Sequence, residues 1–195
     1  MIDALQVAVA GPDADIERLV APIVTAFSAD PFVRWLLPES DKFLKHFPAG
    51  AGAHAATALA NGGACHTRDF KATALWFPAG VEMPAGASEA MVQGIPESRR
   101  ESAFAVFARM GESHPKEPCW HLRLLGVDPP LQGRGYGSAL LDVTLRDLDE
   151  LHVAAFLEST SPGSRALYER WGFEVTDEIQ VGDSPPLWPM LRKAR

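Results

Sequence analysis

The sequence predicts one α/β domain built on a mixed sheet. Strand-like and helix-like segments alternate along the whole chain, the pattern of a sheet covered by helices. The 195 residues suit one domain over 1–195, with no repeat, charge block or linker to divide it. A chain of this length buries about 70% of its unfolded surface around one core. An apolar fraction of 47% beside 22% charged residues is that of an ordinary globular chain, which excludes wholesale disorder.

Residues 5–9 alternate apolar and less apolar positions and stop at Gly11-Pro12, a short first strand. Ile16, Leu19, Val20, Ile23, Val24 and Phe27 then form one helical stripe, with Asp13 as the expected N-cap and a stop near Asp30-Pro31. Residues 32–38 are an apolar patch closed by proline. Phe43, Phe47 and a run of alanines predict a helix over 41–61, although Pro48, Gly50 and Gly52 weaken it. Two strands follow, over 63–68 and 73–77, joined by a turn at Asp69-Phe70-Lys71. The Gly- and Pro-rich stretch 78–94 reads as loop, and 98–111 as a helix with Phe104, Phe107 and Ala108 at core spacing. The second half is more regular: strand 120–127, helix 135–148, strand 153–157, helix 164–171 ending at Gly172, then strands 173–175 and 187–191.

Acidic residues outnumber basic ones, 25 to 18, which argues against a nucleic-acid binder that relies on bulk phosphate neutralisation. The two cysteines, Cys65 and Cys119, make no CxxC pair and no disulfide framework, so a reduced chain is expected. The opening Met1-Ile2-Asp3-Ala4-Leu5 lacks a basic leader and is soon followed by acidic residues, and no run of 18 apolar residues occurs. A cytoplasmic protein without a membrane partner is the expectation.

The densest chemical signal is Val127-Asp128-Pro129-Pro130-Leu131-Gln132-Gly133-Arg134-Gly135-Tyr136-Gly137-Ser138, between a strand and a helix. Alternate glycines let the backbone curl against a ligand, successive N–H groups share one concavity at the helix N-terminus, and Arg134 adds a positive charge. An acidic protein binds a polyphosphate in this way, although an ordinary glycine-rich turn reads the same. A P-loop GxxxxGK[ST] is absent, and the GxGxxG dinucleotide pattern misses its last glycine.

A strand ending Leu-x-Val-x-Pro, followed by Gln-Gly-Arg-Gly-x-Gly opening a helix, resembles the coenzyme A-binding motif of the GNAT family of N-acetyltransferases. Ala166-Leu167-Tyr168-Glu169-Arg170-Trp171-Gly172-Phe173 resembles a second segment of that family, in the right order about 30 residues later. The resemblance covers 120–175. Phe27-Ser28-Ala29-Asp30-Pro31, Arg34-Trp35-Leu36 and Pro186-Leu187-Trp188-Pro189-Met190 are similar to a branch with puromycin acetyltransferase-like proteins. The resemblance implies a twisted, mostly antiparallel sheet with helices on both faces, acetyl-CoA as cofactor, and transfer of its acetyl group to a primary amine by direct attack. A small-molecule amine is the expected acceptor, on a monomer or homodimer. A protein or peptide N-terminus is the alternative acceptor, and a non-catalytic acyl-CoA-binding module the alternative class.

By the same resemblance, Leu125, Gly126 and Val127 present backbone groups to the pantetheine arm, the Leu125 or Val127 amide serving as an oxyanion donor. Gln132, Gly133, Arg134, Gly135, Tyr136, Gly137 and Ser138 wrap the pyrophosphate. Tyr168 stands where the family places the acid that protonates the departing thiolate; a core aromatic is the other reading. Ser161 occupies a position where the family commonly has a cofactor-contacting asparagine. For the base, His121 and Arg123 alternate on one strand and face one side of the sheet, and Glu158 closes the next strand. His121 or Glu158 is the expected proton acceptor, and for each a surface or hydrogen-bonded side chain is an equal reading. Phe27, Phe32, Trp35 and the stretch 78–94 are expected to supply the acceptor pocket, and the acidic surface favours a cationic amine. The six histidines show no HExxH or Cys/His ligand spacing, and no GxSxG elbow occurs, so no metal site or serine hydrolase is expected.

Overall fold

The computed structural model describes residues 5–195; Met1 to Ala4, which carried the leader reading, lie outside them. The chain runs β1 (Val7–Val9), α1 (Ile16–Phe27), α2 (Pro31–Leu36), α3 (Ser40–Ala60), β2 (Ala64–Thr67), β3 (Ala72–Phe77), α4 (Ala85–Gly94) and α5 (Glu97–Ser113). It continues through β4 (Cys119–Val127), α6 (Tyr136–Glu150), β5 (Ala154–Ser159), α7 (Pro162–Arg170), β6 (Glu174–Val175) and β7 (Trp188–Arg192). The strands form one sheet in the order β1-β2-β3-β4-β5-β7-β6. Every pairing is antiparallel except β4 with β5, as the expected mostly antiparallel mixed sheet requires. Among the described residues, no helix is long and apolar enough to cross a membrane.

Two apolar layers sandwich the sheet. On one face Leu19, Ile23, Leu36, Phe47 and Val106 bring α1, α2, α3 and α5 together. On the other, Leu140, Leu141, Leu145 and Tyr168 pack α6 and α7 against Trp76, Leu122 and Leu157. Burying an aliphatic or aromatic side chain contributes about 1.5–3 kcal/mol, so these layers set the positions of the helices. The α1 stripe is buried as its spacing predicts, but Asp15, not Asp13, caps the helix: its Oδ1 accepts from Glu17 N at 2.9 Å and Arg18 N at 3.3 Å.

Three expectations are corrected. The patch 32–38 begins as a helix because Asp30 caps it and Pro31 sits at its first position, where the missing N–H is no loss. The stretch 78–94 contains α4, bounded by Pro84 and Ile95-Pro96; the Ala, Ser, Glu, Met and Gln between them tolerate a helix despite the glycines. On α5, Ala103 and Val106 are the buried positions, whereas Ala108 is exposed and Phe104 is 51% exposed. Phe104 and Phe107 instead front a cleft.

Candidate active site

The strands β4 and β5 pair in parallel only over Cys119–Leu122 and Ala154–Leu157. Beyond Leu122, β4 keeps β3 as its partner but turns away from β5, so the sheet opens into a split. A bulge sharpens this divergence. Leu75 pairs with Leu124 and Trp76 with Leu122, leaving Arg123 as the extra residue. The bulge also exchanges faces: Leu122 packs on the α6 side, whereas Leu124 packs on the side of α1 and α3. A cleft of about 1400 Å³ runs through the split, from the glycine loop at one end to the first-half helices at the other.

At the loop end, Gly133 (φ 73°) and Gly135 (φ 91°) are left-handed, a conformation only glycine adopts without strain. Gly135 begins α6 with no side-chain cap, leaving the first N–H groups of the helix to the cleft. Gln132 braces the turn, its Nε2 donating to the Val127 carbonyl at 3.2 Å. Gly137 admits α7: a Cβ there would lie 3.1 Å from Leu167 Cδ2. Gln132, Gly133, Gly135, Gly137 and Ser138 line the cleft. Arg134 and Tyr136 do not. Arg134 is exposed to solvent and Tyr136 is buried in the core beneath the loop, so neither side chain joins the expected cradle. Arg170, from α7, is the arginine that lines this end.

In the split, Leu125 and Val127 line the cleft as expected, but Gly126 faces α1. A Cβ on Gly126 would stand 2.4 Å from Ile23 Cα and 2.8 Å from Pro22 O, so this glycine serves a close helix–strand approach. Ser161 lines the opposite wall and caps α7, accepting from Ser164 N at 3.2 Å. Its hydroxyl is further tied to Ser164 Oγ at 2.9 Å, which in turn meets Ser159 Oγ at 2.8 Å. Tyr168 also lines the cleft, and its hydroxyl has no hydrogen-bond partner among the described residues. Burial first, then the nearby Asp30 carboxylate, pushes its phenol above the ordinary value, so it is protonated at neutral pH.

Sequence reasoning missed Asp30. Its Oδ1 caps α2, accepting from Phe32 N at 3.0 Å and Val33 N at 2.9 Å, while Thr160 Oγ1 donates to Oδ2. Burial raises its pKa, partly offset by Thr160 and those two amides. The Asp-Pro start of a short helix was the available signal, and it reads equally as capping alone.

The structure joins both candidate bases. His121 Nε2 and Glu158 Oε2 are 2.7 Å apart, with side chains only 8% and 10% exposed. Burial lowers the His121 pKa, and Glu158 offsets this only in part. Burial raises the Glu158 carboxyl, but His121 and Arg123 beside it outweigh that and hold it below the usual value. At neutral pH the pair is therefore a carboxylate accepting from the Nε2–H of a neutral imidazole, with the lone pair left on Nδ1. Arg123 Nη1 lies 3.1 Å from His121 Nδ1 and 3.2 Å from Nε2, so the guanidinium rests against the imidazole face rather than in its plane. His114 packs tilted against the same ring and Phe156 meets it edge-on, their centroids 5.3 and 5.0 Å from it.

At the opposite end, where the acceptor pocket is expected, Phe27 and Phe32 line the cleft, but Trp35 does not: it is buried, its Nε1 donating to Asp183 Oδ1 at 3.1 Å. Met83 and Met91 line it from the stretch 78–94, as expected, and Phe104 and Phe107, read from the sequence as core positions, add further walls. Cys65 and Cys119 are buried, and burial first pushes both thiols up to about 11, which leaves neither as a nucleophile.

The sequence model of the Acetyltransferase (GNAT) family matches residues 95–173, which span β4, the glycine loop, α6, β5 and α7. A mycothiol acetyltransferase of Propionibacterium freudenreichii is 38% identical over 71 residues, covering 35% of this chain and 22% of that protein. One from Acidothermus cellulolyticus is 41% identical over 63 residues, 31% of this chain and 19% of its own length. The chain thus spans about a fifth of these relatives. A Corynebacterium glutamicum structure described as histone acetyltransferase HPA2 and related acetyltransferase superposes with a TM-score of 0.70 at 26% identity, covering 97% of this chain and 96% of that one. The local match falls on the loop and the split, and the structural match extends over nearly the whole fold; residues 95–173 of this chain are similar to the GNAT acetyltransferase family.

Proposed function

We propose that residues 1–195 form one N-acetyltransferase domain that moves the acetyl group of acetyl-CoA to the primary amine of a small molecule within a ternary complex. The split between β4 and β5 carries this reading. It is the one place where the amide cradle of Gly133 and Gly135, the open edge of β4 and the His121–Glu158 pair front a single cleft. Bound there, acetyl-CoA supplies a thioester carbonyl activated for attack. The residues present fit it: left-handed glycines with free space above Gly133, an uncapped helix start, and a strand edge without a partner.

The acceptor nitrogen bonds to the carbonyl carbon, the C–S bond breaks, and one proton moves from nitrogen to base while another reaches sulfur. A backbone N–H on the open edge of β4, at Leu125 or Val127, donates to the carbonyl oxygen as negative charge grows there. Neutral His121 takes the amine proton at Nδ1, and Glu158 holds the imidazolium that results. Tyr168 donates its O–H toward the sulfur. Because burial raises its pKa, full transfer to a thiolate is uphill, so its main help is a hydrogen bond to the developing charge, and the thiolate takes its proton from water as CoA leaves. Holding amine and thioester together removes much of the entropic barrier, so no covalent enzyme intermediate is required.

A small acceptor suits this cleft, because α4 and α5 supply walls at its far end through Met91 and Phe107. Two separate, buried thiols suit the reducing cytoplasm. The test is thiol release from acetyl-CoA against panels of small amines and peptides, with products identified by mass. Acetylated small amines support the reading. Release only with peptides moves the acceptor to a polypeptide, and tight acetyl-CoA binding without turnover on any panel leaves a binding module.

A further inference from the structure

Arg123 is a half-buried cation whose hydrogen-bonding capacity within the chain is largely unused. A guanidinium carries five N–H donors, and each one withdrawn from water needs an acceptor to replace it. Here Nε is fully buried without a partner, Nη1 rests on the His121 face, and Nη2 has only the Met83 sulfur, a weak acceptor, at 3.5 Å. Glu158, the nearest counter-charge acting on it, gives its hydrogen-bonding oxygen to His121 instead. The β4 bulge turns this side chain into the cleft, one residue before Leu124 and directly beside the proposed base. A second cavity of about 190 Å³, lined by Phe77, Val81, Met83 and His114, adjoins the same guanidinium.

We infer that Arg123 binds a carboxylate carried by the acceptor next to its reacting amine, so that the acceptor is an apolar α-amino acid rather than a simple amine. The inference rests on the acetyl-transfer reading above. Arginine pairs with a carboxylate through two parallel N–H···O bonds, which fixes the position of the carbon between carboxylate and amine. With the carboxylate on Arg123, the adjacent nitrogen falls to His121 and Glu158, the two groups in contact with it or acting on it. The side chain of the amino acid then has Phe27, Phe32, Phe104, Phe107 and Met91 for walls. An ammonium beside Glu158 and a carboxylate beside Arg123 also leave both charges of a zwitterion matched, whereas a simple amine leaves the guanidinium unanswered. A site with a buried donor rejects the analogue that lacks its partner.

The experiment compares matched pairs differing only in the carboxylate: phenylalanine with phenethylamine, and methionine with 3-(methylthio)propylamine. Acetyl-CoA turnover is measured on the wild-type chain, Arg123→Gln and Arg123→Lys. A charged hydrogen-bonded pair corresponds to about 10- to 100-fold, so kcat/KM for each amino acid should exceed that of its amine by this factor. Arg123→Gln should erase the preference, chiefly by raising KM for the amino acid, and Arg123→Lys should restore part of it. Equal or better use of the amines by the wild-type chain overturns the inference, as does a preference that survives in Arg123→Gln. If neither class is acetylated, the transfer reading stands or falls on the wider amine and peptide panels, and calorimetric titration of the same pairs with CoA present decides the carboxylate site. Tighter binding of phenylalanine, lost in Arg123→Gln, supports the carboxylate site, and equal binding of the pair removes it.

Discussion

Gly126→Ala isolates what the glycine in the split is for. The new Cβ would meet Ile23 Cα at 2.4 Å, Ile23 N at 2.8 Å and Pro22 O at 2.8 Å, against a carbon–carbon optimum of about 3.5–4.0 Å. These are backbone atoms of α1, so no rotamer change relieves the overlap and the helix itself must move. Leu19 and Ile23 on that helix are fully buried, and their packing moves with it. Overpacking of this kind costs about 1–3 kcal/mol, and an obstruction made of backbone belongs at the upper end. For a chain of this size about 3 kcal/mol lowers Tm by about 6–12 °C. Thermal unfolding is the assay, with Gly52→Ala as the control. Gly52 lies inside α3 with nothing within 4 Å of a Cβ, so alanine there should raise stability by about 1 kcal/mol. If Gly126→Ala left Tm unchanged but weakened acetyl-CoA binding, the close approach of α1 would be irrelevant and the glycine would serve the cofactor instead.

Tyr168→Phe removes one O–H and almost no volume; with chemistry limiting turnover, kcat should fall at least about tenfold while KM for acetyl-CoA changes far less. Wild-type kcat would remove Tyr168 from the reaction, and a matching loss of stability and activity would make it a core aromatic. Gly135→Val places a β-branched residue at φ 91°, which should lower stability by about 1–2 kcal/mol and weaken CoA binding by at least about tenfold in a calorimetric titration; unchanged affinity would reduce the loop to a turn. For His54, burial first lowers the pKa from 6.5 to about 4, against a supporting bond to Gly50 O. Between those values the unfolded chain takes a proton that the folded one refuses, so this contribution is complete above pH 6.5 and is lost as pH falls toward 4. Urea unfolding across that window should show a shallower decline for His54→Gln than for the wild type; equal slopes would contradict the assignment.

The glycine loop, where phosphate binding is proposed, was legible because its geometry is local. Gly133, Gly135 and the start of α6 follow one another in sequence, and their backbone alone makes the left-handed turn and the uncapped helix start. Tyr136 and Arg134 were misplaced for the same reason: adjacency placed them in the cradle, while packing sent one side chain to the core and the other to solvent. The opposite end of the cleft was less legible because it is assembled from distant elements. Period-two reasoning put His121 and Arg123 on one face correctly, but it cannot foresee a bulge, and without the bulge Leu124 and Leu125 would have exchanged sides. Asp30 was hidden by its ordinary role as a cap, and Phe104 passed for a core residue because apolar spacing does not tell a cleft from a core. The helix α4 lay in a stretch where glycine and proline outweighed the helix formers between them.

The central claim is that the split between β4 and β5, with its glycine loop, holds acetyl-CoA. Thermal unfolding with and without ligand tests it most directly, since a ligand of the native state stabilises by mass action. At about one hundred times its Kd, acetyl-CoA should add about 2.7 kcal/mol and raise Tm by about 5–11 °C, while ATP and NAD at equal concentration leave it unchanged. A shift with NAD and none with acetyl-CoA would contradict the account.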